Sequence, residues 1–143
     1  MTAPSALMLA AYVRAPVPLS ALRSAVARAM GMTDAELGDL YDEGAQSCPC
    51  FVDLQPLDGA FVWAVNLTVH QLPPSAPATD LVLAKRLASL LGADVLADHS
   101  GQYGEWALVC ADGRAFIVQE QLGEEKEGFW IHEDPATWRP LFG

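Results

Sequence analysis

Seven consecutive residues, Leu7 to Val13, are apolar at every position. In an extended chain Leu7, Leu9, Ala11 and Val13 share one face, and Met8, Ala10 and Tyr12 share the other. A strand apolar on both faces belongs at the centre of a sheet that is covered, at least in part, on both sides. The rest of the chain must therefore supply flanking strands and covering layers. Phe61, Trp63, Val65, Leu67 and Val69 supply the clearest of those strands by strict alternation. Its opposite face, Val62, Ala64, Asn66, Thr68 and His70, turns polar toward the end. Phe51 to Leu57 alternates too, with Val52 and Leu54 opposite Asp53 and Gln55. Asp58-Gly59 lies between these two runs and predicts a tight hairpin.

Two segments carry helical spacing. Leu19, Leu22, Val26 and Met30 recur on one face, starting near Pro18 to Ser20 and stopping at Gly31. Leu83, Leu87, Leu90 and Leu91 form a second stripe, between an N-cap at Thr79 and a stop at Gly92. Asp80 falls in the positive first turn of that helix. Thr33-Asp34-Ala35-Glu36 is a capping box, which predicts a further short helix from Asp34 to Tyr41 or Asp42. Asp94 to Ala97 reads as a short strand. Trp106 to Gln121, turning at Ala111 to Arg114, reads as a second hairpin. Phe129 to Ile131 reads as a last strand, followed by an aromatic tail. The order β-α-(α)-β-β-α-β, then a hairpin, predicts one α+β domain over residues 1–143. Its expected plan is a ferredoxin-like βαββαβ core with an added C-terminal β-hairpin and both helices on one sheet face.

A chain of 143 residues is about one domain's worth and can bury a core without staples. Its formal net charge of −10 argues against nucleic-acid binding, which needs clustered Lys and Arg, and against anionic membranes. No apolar run reaches the 18 residues of a membrane span. Ala6 to Val13 lacks a preceding basic region, and Pro16 and Pro18 break any transit-type amphipathic helix, so a cytoplasmic first strand is expected. The three cysteines fit a reducing compartment. Cys48 and Cys50 read as loop cysteines without function, and Cys110 as a small buried hydrophobe. The spacing of His70, His99 and His132 supports no metal site. Phosphate-binding glycine loops and nucleophile-elbow motifs are absent from the sequence. No cofactor is implied, and Asp94, Asp98 and Asp112 read as solvated loop carboxylates.

The charge is unevenly placed. Residues 1–33 hold three arginines and no acid, whereas residues 34–143 hold all 18 acids and five bases. Asp34, Glu36, Asp39, Asp42 and Glu43 crowd ten residues with no base among them. Helix-dipole matching explains Asp34 and Glu36. On the predicted helix, Asp39, Asp42 and Glu43 would lie at the negative end, where like charges cost stability unless a partner uses them. Glu124, Glu125 and Glu127 form a second acidic stretch beside Trp130. Aromatics rimmed by charge suit an interface. The competing reading folds Phe129, Trp130, Trp138 and Phe142 back as a lid over one sheet face.

The texture of Leu83-Ala84-Lys85-Arg86-Leu87, Leu91 to Leu96, Trp106 to Val109 and Asp112-Gly113 resembles that of immunity proteins of bacterial toxin systems. The likeness covers about residues 80–121 and carries no functional residue with it. It implies a cytoplasmic, non-enzymatic inhibitor that neutralises a cognate basic protein toxin by occluding its active site. The expected partner-binding residues are Asp34, Glu36, Asp39, Asp42, Glu43, Glu124, Glu125, Glu127 and Trp130. The alternative is a small-molecule-binding ferredoxin-like regulatory module using Asn66, Thr68 and His70. A third reading, a small enzyme, would take His70 as base with Asp53 nearby.

Overall fold

The computed structural model describes residues 7–39, 48–71, 73–98, 104–121 and 129–141. The fold is α+β, with two α-helices among these residues and one mixed eight-stranded sheet. The strands are β1 (Leu7–Val13), β2 (Leu37–Asp39), β3 (Cys50–Pro56), β4 (Trp63–Val69), β5 (Val95–Asp98), β6 (Glu105–Val109), β7 (Ala115–Gln119) and β8 (Arg139–Pro140). Their spatial order is β2-β3-β4-β1-β5-β6-β7-β8. Only β2 and β3 run parallel; every other neighbouring pair is antiparallel.

Helices α1 (Leu19–Met30) and α2 (Asp80–Leu91) pack side by side and share one core with the sheet. Leu22, Val26 and Met30 from α1 and Leu83 and Leu87 from α2 are fully buried there. They meet Leu9, Ala11 and Val13 of β1 and Val65, Leu67 and Val69 of β4. Each of these Leu, Val and Met side chains contributes about 1.5–3 kcal/mol by leaving water. Both helices stop where the sequence places a glycine: Gly31 and Gly92 adopt φ of +70° and +62°. At the start of α2 the Thr79 hydroxyl accepts the Val82 N–H at 3.2 Å.

A smaller core lies on the opposite face, under β5, β6 and β7. Phe61, Leu96, Leu108, Val118 and Ile131 are fully buried in it. Tyr12, Trp106, Phe116, Phe129 and Trp138 pack around them. The C-terminal segment thus folds back as a lid on this half of the face.

Four sequence expectations need correction. The glutamate half of the capping box forms, with the Thr33 N–H donating to Glu36 Oε1 at 3.0 Å, while the Glu36 N–H donates to the Thr33 carbonyl, also at 3.0 Å, as in a 3-10 turn. It closes only one 3-10 turn, Asp34–Glu36, and not a helix to Tyr41 or Asp42. Leu37 and Gly38 are buried as β2 beside β3, and this sheet pairing overrides the local helix signal. The Asp58-Gly59 hairpin is not tight. Pairing resumes only at Pro56↔Trp63, so residues 57–62 form the connection. Gly59 instead bridges Phe129, and Phe61 leaves the β4 alternation to enter the second core. Phe129 to Ile131 makes two isolated bridges, Gly59↔Phe129 and Glu120↔Ile131, and not a continuous strand. Finally, the C-terminal hairpin β6–β7 is extended by β8, whose Pro140 is tolerable because it lies on the sheet's outer edge.

Gly59 sits at φ +112°, and a Cβ there would stand 2.6 Å from the Phe129 backbone N and O. Gly59→Ala is therefore expected to loosen the lid and lower stability by about 1–3 kcal/mol. Denaturant unfolding measures this; an unchanged midpoint would show that the close backbone approach is not needed.

Candidate functional site

Of the acids nominated by the sequence, Glu36 and Asp39 are engaged within the fold. Glu36 Oε1 also accepts the Thr33 hydroxyl, at 3.1 Å. Asp39 pairs with Arg23 at 2.8 Å, while the same guanidinium donates to the Leu37 carbonyl at 2.6 Å. Asp39 is thus on a strand edge and not at a helix C-terminus, so the like-charge cost argued from a helix does not arise for it. Asp34 is exposed, with an oxygen 3.5 Å from the Ser24 hydroxyl. Asp42, Glu43, Glu124, Glu125 and Glu127 lie outside the described residues. Trp130 is half-buried, and its carbonyl accepts the Gln121 N–H at 2.8 Å beside β7. β2 is the first strand of the sheet and β7 the seventh. At about 4.8 Å per strand, this order puts Asp39 and Trp130 far apart across the sheet. The acidic edge and the C-terminal aromatics do not form one patch.

The lid is an aromatic cluster. Phe129 lies 5.0 Å from Tyr12, 5.1 Å from Trp106 and 5.8 Å from Phe61, ring centre to ring centre. Trp138 stands 5.6 Å from Phe116 and donates its indole N–H to the His132 carbonyl at 2.7 Å. The Trp106 indole donates to Glu120 at 3.0 Å. Phe142 is outside the described residues. Burial, and then Asp80, Glu120 and Asp98, push the Tyr12 phenol above its usual range. Asp80 is itself raised by burial, an effect opposed by the hydrogen bond it accepts from the Ala10 N–H at 3.0 Å. β5 pairs with β1 only at Tyr12 and Val13, so Ala10 has no strand partner on that side. Asp80 fills the gap. Its place in a helix first turn was legible; its bond to β1, 70 residues away, was not.

The other half of that sheet face is open. Met8, in the central strand β1, is 75% exposed. Across β4 and β3 it is joined by Thr68, Asn66, Phe51 and Asp53, through the pairs Met8↔Thr68, Phe51↔Thr68 and Asp53↔Asn66. Asn66 is exposed and Phe51 half-buried. The His70 ring is also exposed and packs edge-on against Phe51 at 4.7 Å. These residues line or flank a shallow concavity of about 240 Å³. Asn66, Thr68 and His70 therefore do share a solvent-facing surface. His70 and Asp53 do not meet as a base and its orienting acid. His70 is four positions along from Asn66, the partner of Asp53, which is about 13 Å of strand. Asp53 instead accepts from the Gln55 amide at 2.6 Å.

Cys50 is fully buried at the start of β3 and is not a loop residue. Cys48 and Cys110 are both half-buried, so Cys110 is less enclosed than its apolar neighbours suggested. Among the described residues no group of His, Cys, Asp and Glu is placed to hold a metal ion. No helix among them is long and apolar enough to cross a membrane. No family model, curated protein or solved structure matches the chain.

Burial, with a lesser contribution from Cys48, pushes the Cys50 thiol up to about 11 from an ordinary 9.0. In the unfolded chain this thiol loses its proton first. The contribution to stability is full below about pH 9 and is lost as pH rises toward about 11. Stability is expected to fall across that window by an amount that Cys50→Ala abolishes. Equal alkaline slopes for both proteins in denaturant titrations would contradict the assignment to Cys50.

Proposed function

We propose that this chain is a non-enzymatic binding protein of immunity type, which meets a basic protein toxin on the open half of its sheet and occludes the toxin's active site. The observation that carries the reading is Met8. A methionine left 75% exposed in a central strand forgoes about 1.5–3 kcal/mol of burial. Its neighbours Phe51 and Thr68 add apolar surface, and Asp53 and Asn66 add polar groups, the composition of an anchor with a polar rim. Asp34 and Asp39 lie at the β2 edge on the α1 side, where Asp39 pairs with Arg23, so they add to the field around this surface and not to its contacts. With a net charge of −10, such a surface steers a basic partner. The cytoplasmic setting and the toxin rest on the resemblance described above.

The fold fits the same reading. The stretch β3-β4-β1-β5 has α1 between β1 and β3 in sequence and α2 between β4 and β5. We read it as a ferredoxin-like core, widened by β2 on one side and by β6, β7 and β8 on the other. The small-molecule alternative draws support from Asn66, Thr68 and His70 sharing the open face. Its concavity of about 240 Å³ falls below the roughly 300–1,000 Å³ usual for ligand sites, which favours a protein partner.

The test is capture of the partner from native lysate by wild-type and Met8→Arg baits at low and high salt. The wild type is expected to retain one stoichiometric basic protein that high salt releases. Met8→Arg, an exposed change that leaves the core intact, is expected to reduce capture at least about tenfold. Equal capture by both baits, or capture indifferent to salt, would count against this surface.

A further inference from the structure

We propose that a groove between α1 and α2, on the face opposite the open sheet, binds a small organic anion: a phosphate or carboxylate on an apolar body. Charge distribution is the first argument. Among the described residues, Arg14, Arg23, Arg114 and Arg139 each pair with a carboxylate, at 2.6, 2.8, 2.7 and 3.0 Å. Arg28 and Arg86, which make no ion pair with a described carboxylate, line this one groove beside Lys85. In a protein of net charge −10, no described residue lining the groove is an acid.

Preorganisation is the second argument. Arg86 Nη1 donates to the Ala29 carbonyl at 2.9 Å and also to the Ser75 carbonyl. Those bonds fix the guanidinium plane and leave Nε and Nη2 as the donors for a ligand. The bond to Ala29 also offsets the negative C-terminal end of α1, which would otherwise repel an anion. A guanidinium fork held in this way suits the two oxygens of a phosphate or carboxylate. Arg28 makes no ion pair among the described residues and stands across the groove from α2.

Size and lining are the third. The groove is open to solvent and holds about 510 Å³, within the range of ligand sites. Ala29 and Leu90 give it an apolar wall, and Leu90 is 43% exposed. A ring or short aliphatic body would cover that wall.

Calorimetric titration of the whole chain with phenyl phosphate, phenylacetate and benzyl alcohol tests this. One of the two anions is expected to bind saturably with Kd near or below about 1 mM, the tighter one naming the head group, while neutral benzyl alcohol does not. Arg28→Gln changes one exposed side chain that pairs with no described carboxylate. It is expected to weaken binding at least about fivefold without altering thermal unfolding, whereas Met8→Arg leaves binding unchanged. The proposal is overturned if neither anion saturates, if benzyl alcohol binds as well, if Arg28→Gln loses less than about fivefold, or if Met8→Arg loses as much.

Discussion

Strand β1 is hydrogen-bonded along both edges, and the rest of the fold is arranged around what its two edges and two faces require. On one edge all seven residues pair with β4. On the other only Tyr12 and Val13 pair with β5. The unmet Ala10 N–H would be costly if left without a partner, and the Asp80 carboxylate accepts it. That bond ties the start of α2 to the middle of the sheet. On the helix side, Leu9, Ala11 and Val13 are buried to within 3% of complete, which fixes the register of the whole β1–β4 pair.

The opposite face of β1 has two fates along its length. Tyr12 is roofed by Phe129 and Trp106, whereas Met8 is left to solvent. The lid stops between them because its anchors lie on the β5–β7 side. Phe129 is held to Asp58, Gly59 and Ala60 by backbone contacts, and Ile131 is bridged to Glu120. The lid's cost is a distorted hairpin at residues 57–62. Its gain is burial of Phe61 and Ile131, about 1.5–3 kcal/mol each. What it leaves uncovered is the surface assigned to a partner.

Local patterns made the elements legible in the sequence, and long-range pairing made the exceptions. Periodicity placed β1, β4, α1 and α2, because each buries a face whose spacing is intrinsic to the element. Gly31, Gly92 and Thr79 marked helix ends through local chemistry alone. Leu37–Asp39 carries a local helix signal, yet its strand character comes from β3, eleven residues on, and nothing within the segment signals it. Asp58-Gly59 carries a true turn signal, yet Phe129, 70 residues away, recruits the glycine. The apolar character of both faces of Leu7–Val13 predicted cover on both sides, which holds for Tyr12 and fails for Met8. The candidate site was legible in part: Asn66, Thr68 and His70 form a polar strand face in the sequence, but Met8 sits in a run apolar on both faces and nothing singles out Phe51. Net charge pointed to acids as partner contacts, while the structure uses Glu36 and Asp39 to tie down the segment before and within β2.

The half-covered sheet can be measured directly by methionine oxidation. Met8 is 75% exposed, whereas Met30 and Met32 are 0% and 7% exposed. Brief treatment of the native protein with hydrogen peroxide, followed by peptide mass spectrometry, reads all three in one sample. Met8 is expected to oxidise at close to the rate of the unfolded chain, with Met30 and Met32 slower by at least about tenfold. Protection of Met8 equal to that of Met30 would show that the sheet is covered on both faces, and that the surface assigned to a partner is not open.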